Sequence, residues 1–200
     1  SKIAKSEFKE RGSKFIGYLF PAKSEDAFND QLQKLKKELW DASHHCYGYR
    51  IHPTETAEFS SDDGEPSGTA GLPILNQLRS SELIDVGAVV IRYFGGTKLG
   101  KSGLIEAYGK SVHQTIEIAE LSTIITCYWF QIIYQYPEEN VIQKLKQDFE
   151  LYEQDAEYFQ QITLTVAVPL KLSGSFEKRL KELEHLSISF KKLEPGYYFS

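Results

Sequence analysis

Two cysteines, no methionine and two tryptophans in 200 residues leave little room for several common chemistries. Cys46 and Cys127 lie far apart without Cys-x-x-Cys spacing, so neither a disulfide framework nor a cysteine zinc site is indicated, and both read as ordinary buried thiols. No stretch reaches the roughly 18 apolar residues that cross a bilayer. The polar start SKIAKSEFKERGSK carries no apolar core of a secretory signal, so the expected location is cytoplasmic. A strong charge of either sign is also missing. The net charge is -5, with 15 basic against 17 acidic residues up to Leu121 and 8 against 11 beyond it. That balance excludes a chain coated in phosphate contacts but leaves room for a local basic patch.

Apolar residues, 41% of the chain with 13% aromatics, suffice for real cores. SKFIGYLFPA alternates as a strand, and Ser24 caps a run with Phe28, Leu32, Leu35 and Leu39 at helical spacing. HHCYGYRI and AEFSS, joined by the turn HPTET, read as a hairpin. After the polar loop DDGEPSGTAG, LPILNQLRSSEL reads as a short helix with Pro73 in its first turn. DVGAVVIRYF reads as a strand buried on both faces, and Leu104, Tyr108, Val112, Thr115 and Ala119 as one face of a helix. The order is β-α-β-β-α-β-α. A new pattern starts near Leu121: the strand TIITCYWFQIIYQY, the helix PEENVIQKLKQDF opened by Pro137, and two strand candidates in ELYEQDAEYFQQITLTVAVPL. A serine-capped helix, SGSFEKRLKELEHL, and a last strand, SISFKKLEP, complete it. The order β-α-β-β-α-β is the plan of a ferredoxin-like antiparallel sheet with two helices on one face. The expectation is an α+β protein of two domains, residues 1–121 and 122–200.

The run GGTKLGKSG, Gly95 to Gly103, satisfies the phosphate-loop pattern G-x-x-x-x-G-K-[ST] between a strand and a helix. A nucleotide hydrolase also needs a carboxylate for magnesium, usually at the end of a second buried strand of a parallel sheet. TIITCYWFQIIY ends in Gln-Tyr-Pro, ITLTVAVPL closes on Pro169 and Leu170, and Asp85 starts a strand instead of ending one. The run therefore reads as a glycine turn into a helix start, whose amides and positive dipole end suit an anion. The plainer alternative is that the glycines only permit a tight turn. Candidate contacts to phosphate or nucleic acid are Arg92, Gly95, Gly96, Lys98, Gly100, Lys101 and Ser102.

A second glycine-rich loop, Ser60 to Gly71, also leads into a helix start and is longer than connection demands, a sign of function. Its candidates are Asp62, Asp63, Gly64, Glu65, Gly68, Thr69 and Gly71. The three carboxylates lack calcium-loop spacing, so no metal is assigned and Asp-Gly turn chemistry is the preferred account. His44 and His45 are adjacent on a strand and face opposite sides, and no i, i+4 histidine pair for zinc exists. His44 and Cys46 share a face and are candidate neighbours of the site. With no third orienting group they make a thin case for a nucleophile and base.

The segments ASHHCYGYRI, FSSDDGEPSGTAGLPIL and VVIRYFGGTKLGKSGLIEAYG, in this order and spacing, resemble the Impact family, which includes bacterial YigZ-like two-domain proteins. The resemblance covers essentially the whole chain. It implies a first domain similar to the second domain of ribosomal protein S5 and to a domain of elongation factor G, followed by a ferredoxin-like domain. Family positions map onto His44, Cys46 and Tyr49, onto Asp62, Asp63, Gly64, Glu65, Pro66, Gly68, Thr69, Ala70 and Gly71, and onto Arg92, Phe94, Gly95, Gly96, Leu99 and Gly100. Lys101 lies outside that pattern. Eukaryotic members regulate translation through a further N-terminal domain outside the segment that matches here, so their kinase-pathway role is not carried over. Fold analogy implies contact with RNA or the ribosome. The expected function is thus a non-enzymatic protein that binds RNA or ribosome-associated factors, linked to regulation of translation, with no cofactor and with Arg92 and Lys98 at phosphates. Two alternatives stand: a metal-dependent hydrolase of a small phosphorylated substrate using Asp62, Asp63, Glu65 and His44, and a protein-binding module using an exposed sheet face of the second domain.

Overall fold

The computed structural model describes residues 3–53 and 55–199, and the chain divides into two compact units, Ser1–Leu121 and Ser122–Ser200. Thr54, in the turn HPTET, lies outside the described residues. The first unit runs β1 (Ala4–Glu10), β2 (Ser13–Pro21), α1 (Glu25–Glu38), β3 (His44–Ile51), β4 (Ala57–Ser61), α2 (Gly71–Ser80), β5 (Val86–Tyr93) and α3 (Gly100–Glu117). Its sheet has the order β1-β2-β5-β3-β4 with every neighbouring pair antiparallel.

Both faces of that sheet are covered. Helix α1, capped by the Ser24 hydroxyl accepting from the Ala27 amide at 3.1 Å, packs Phe28, Leu32 and Leu35 with Ile16, Phe20, Val89 and Ile91. On the other face α2 and α3 pack Ile74, Leu78, Leu104, Tyr108 and Val112 with Phe15, Leu19, Cys46 and Val90. Successive residues of the central strand β5 thus serve opposite cores, which is why its apolar run shows no alternation although its neighbours are antiparallel. Each large side chain so buried contributes about 1.5–3 kcal/mol.

Strand β1 is an addition to the elements read from sequence. In AKSEFKE, Lys5, Glu7 and Lys9 point to solvent while Ala4, Ser6 and Phe8 are half-buried. Phe8 stacks on Phe15 at 5.3 Å, and the Ser6 and Thr115 hydroxyls lie 2.7 Å apart. Alternating charges on an outermost strand discourage pairing with another chain.

The second unit runs β6 (Ile124–Tyr134), α4 (Glu139–Asp148), β7 (Tyr152–Tyr158), β8 (Ile162–Pro169), α5 (Ser173–Glu182) and β9 (Ser189–Phe199). Its antiparallel sheet has the order β7-β8-β6-β9. Helices α4 and α5 pack Ile142, Leu145, Phe176 and Leu180 on Phe130, Ile132, Leu164 and Val166. The expected serine cap of α5 is absent: Leu172 is the cap residue, and the Ser173 and Ser175 hydroxyls donate backwards to the Leu170 and Leu172 carbonyls. Among the described residues no helix is long and apolar enough to cross a membrane.

Candidate functional site

Strands β3 and β5 pair with His44 opposite Arg92, so the start of one lies beside the end of the other. The loop between β4 and α2 folds over this corner, and its three carboxylates are each engaged there. Asp62 accepts from the amides of Gly68 at 2.8 Å and of Ala70 and Gly71 at 2.9 Å. Burial alone would push the Asp62 carboxyl up, but these three amides outweigh it and hold it below its ordinary value. The start of α2, where an external anion was conceivable, is therefore filled by the chain's own carboxylate. Asp63 accepts from the His45 amide at 2.7 Å and pairs with Lys36 at 3.2 Å, while its carbonyl oxygen lies 2.9 Å from His44 Nδ1.

Glu65 reaches furthest inward. Its carboxylate pairs with Arg92 at 2.5 Å, with side chains only 4% and 5% exposed, and accepts from the Tyr108 hydroxyl at 2.8 Å. His44 Nε2 lies 3.8 Å from the same oxygen. The Arg92 guanidinium also donates to Ser13 Oγ at 3.3 Å, which in turn accepts from the Gly95 amide at 3.2 Å. It lies 5.5 Å from the rings of both Phe15 and Phe94. Arg92, expected at a phosphate, is thus an internal counter-ion for Glu65. A phosphate contact would have to break a buried pair, which leaves an uncompensated charge inside the fold. Glu65 and Arg92 thus tie the middle loop to the end of β5, from which the glycine run Gly95 to Gly103 departs.

Beyond Arg92 the segment Gly95, Gly96, Thr97 and Lys98 is exposed. Its glycines have different causes. A Cβ on Gly95 would fall 1.9 Å from the Gly12 carbonyl carbon in the β1–β2 turn, whereas Gly100 has open space around it and needs glycine for its φ of +75°. Helix α3 starts without a side-chain cap and without an acidic residue in its first turn. Lys98, Lys101 and Ser102 are exposed, and among the described residues neither lysine forms an ion pair. Both neighbours of β5 are antiparallel, so the parallel strand that carries a magnesium carboxylate in phosphate-loop hydrolases has no counterpart beside it.

Cys46 faces the same loop, its thiol 3.0 Å from the Asp62 carbonyl, and burial pushes its pKa far above the ordinary thiol range. A thiol so held is inert, which removes the nucleophile reading of Cys46 with His44. The His45 ring, on the opposite side of the strand, meets the Leu39 carbonyl through Nε2 at 3.1 Å, and burial lowers its pKa. Among the described residues no group of three or more His, Cys, Asp or Glu side chains is placed to hold a metal ion. The sequence reading passed over Tyr108 and Ser13 as site residues. A tyrosine on the buried face of α3 was the available signal, since a buried hydroxyl needs a partner.

The family model of the Impact N-terminal domain matches residues 11–116, a span that includes this loop, the buried pair and the glycine turn. The chain belongs to the IMPACT family. It is similar along most of its length to the IMPACT family member YigZ of Escherichia coli K12, 32% identical over 188 residues that span 91% of this chain and 90% of that one. An IMPACT family member of Haemophilus influenzae is 32% identical over 92% of this chain and 90% of its own. YvyE of Bacillus subtilis is 49% identical over 102 residues, 51% of this chain and 47% of that protein, so this match spans about half the relative's length. A crystal structure described as that of a hypothetical protein superposes with a TM-score of 0.60 at 28% identity, covering 96% of this chain and 94% of that one.

Proposed function

We propose that this is a non-enzymatic, cytoplasmic protein that binds RNA or ribosome-associated factors in the regulation of translation, meeting phosphates at the start of α3. The observation that carries the reading is the contrast between the two glycine loops. Asp62 occupies the amides at the start of α2, while the start of α3 has no capping side chain, no first-turn acid, and two exposed lysines without an ion pair among the described residues. Gly95, Gly96, Gly100, Lys98, Lys101 and Ser102 form the contact surface. Arg92, Glu65 and the rest of the middle loop, with His44 and Cys46 beneath it, hold that surface in place from inside. The family resemblance supports the link to translation and a likeness of residues 1–121 to the second domain of ribosomal protein S5. The order β7-β8-β6-β9, with two helices on one face, supports a ferredoxin-like domain over 122–200.

The test is binding of labelled RNA across a potassium chloride series. Each phosphate contact contributes about 0.7–0.9 to the slope of log affinity against log salt, so Lys98→Ala with Lys101→Ala should flatten the slope by roughly 1–2. An unchanged slope, or no RNA binding at low salt, overturns the reading. The hydrolase alternative gains no support from the geometry, since Asp62, Asp63 and Glu65 are all engaged by amides, Lys36, Arg92 and Tyr108.

A further inference from the structure

We infer that Trp40 and Phe94 form a stacking platform for unpaired nucleotide bases beside the lysines of the glycine turn. The inference rests on the RNA reading above and specifies the form of RNA taken. Trp40 is 79% exposed, more than any other large apolar side chain among the described residues, and Phe94 is 51% exposed. Both stand at the same end of the first sheet, Trp40 in the loop that enters β3 and Phe94 where the chain leaves β5.

The two loops are stitched together. The Ser43 amide donates to the Arg92 carbonyl at 2.9 Å, the Phe94 amide to Ser43 Oγ at 3.1 Å, and the Tyr93 hydroxyl to Asp41 at 2.9 Å. The Arg92 guanidinium lies 5.5 Å from the Phe94 ring as well as from Phe15, so a buried, ion-paired cation props the exposed ring. These bonds tie the two loops to one framework, yet the rings it carries take no part in either core of the unit.

The surroundings decide which partner fits. Asp41, Ser43, Gly95, Gly96, Thr97 and Lys98 are all exposed and none is a large apolar residue. A protein interface wants a contiguous apolar centre. Isolated aromatic rings beside exposed lysines suit bases that are free to stack, with the lysines following the backbone. A duplex hides its base faces, so the platform selects single strands.

Trp129→Phe leaves Trp40 as the one tryptophan, and this protein is titrated at low salt with an oligoadenylate and with an RNA duplex of equal phosphate count. The single strand should quench Trp40 emission. Trp40→Ala and Phe94→Ala should each weaken single-strand binding about 5- to 100-fold while leaving duplex binding and the melting temperature unchanged. If both variants bind the oligoadenylate as tightly as the parent while Lys98→Ala with Lys101→Ala loses it, the platform is wrong and the phosphate reading stands. If the parent binds neither RNA, both fall. Self-association without RNA that blue-shifts Trp40 and disappears in Trp40→Ala would assign the rings to a protein interface and overturn the proposal.

Discussion

Replacing Glu65 with glutamine keeps the shape of the side chain and an acceptor for the Tyr108 hydroxyl, but removes the charge opposite Arg92. With both side chains 95% or more buried, the guanidinium is left without a counter-ion in a low-dielectric site. Breaking such a pair from one side costs about 3–5 kcal/mol. That is a large share of the roughly 5–15 kcal/mol that holds a typical domain together. At a urea slope of about 1.5 kcal/mol/M the midpoint of the first unit should fall by roughly 2–3 M. Hydrogen exchange read by mass spectrometry along a urea series separates the units, because β5 reports the first and β8 the second. The loss should appear in β5 alone. Glu65→Leu combined with Arg92→Met and Tyr108→Phe should recover most of it, since neither a charge nor the Tyr108 hydroxyl then stays buried without a partner. A shift below about 1 kcal/mol, the value of an exposed pair, or an equal shift in β8, would refute the reasoning.

Asp62→Asn should cost the first unit about 2 kcal/mol at neutral pH through loss of the charge-assisted amide bonds. Because the folded-state pKa of Asp62 lies below its unfolded value of about 3.9, its contribution is full above that pH and lost as pH falls through the folded value. Thermal unfolding between pH 5 and 2 should therefore show an acid-dependent loss that is reduced in Asp62→Asn. Gly95→Ala should cost roughly 3 kcal/mol or prevent folding, since its Cβ meets the Gly12 backbone, whereas Gly100→Ala should cost about 1 kcal/mol from backbone strain alone. Both are measured by chemical denaturation. Cys46 should resist a thiol reagent in the native protein and react only on unfolding, as its burial and raised pKa require.

Periodicity carried most of the fold. The Ser24 cap, the face Phe28, Leu32 and Leu35, and the unbroken apolar run of β5 each reflect local rules that the tertiary structure reinforces. β1 escaped notice because three of its seven residues are outward charges and its apolar side amounts to Ala4 and Phe8, too little to mark a strand without its neighbour. The serines in the first turn of α5 looked like caps, but a hydroxyl can equally bond a carbonyl three residues back, and nothing local decides between the two. The candidate site was legible as a set of residues and not as a set of roles. A loop has no period, so nothing hints that Glu65 and Arg92, separated by 27 in sequence, meet, and an arginine at the end of a buried strand looks like a ligand contact until its partner is seen.

The first hairpin bears on how this domain can be handled. The segment matched by the family model starts at residue 11, yet β1 pairs with β2 from Ala4 opposite Leu19 to Glu10 opposite Ser13. A fragment trimmed to the matched boundary would bare the hydrogen-bonding edge of a strand that carries Phe15, Ile16, Leu19 and Phe20. Such an edge offers itself to any other extended chain. The seven charged and half-buried residues ahead of the boundary thus serve as a sheath. Insolubility of the trimmed fragment would reflect the loss of that cover, not an intrinsic weakness of the domain.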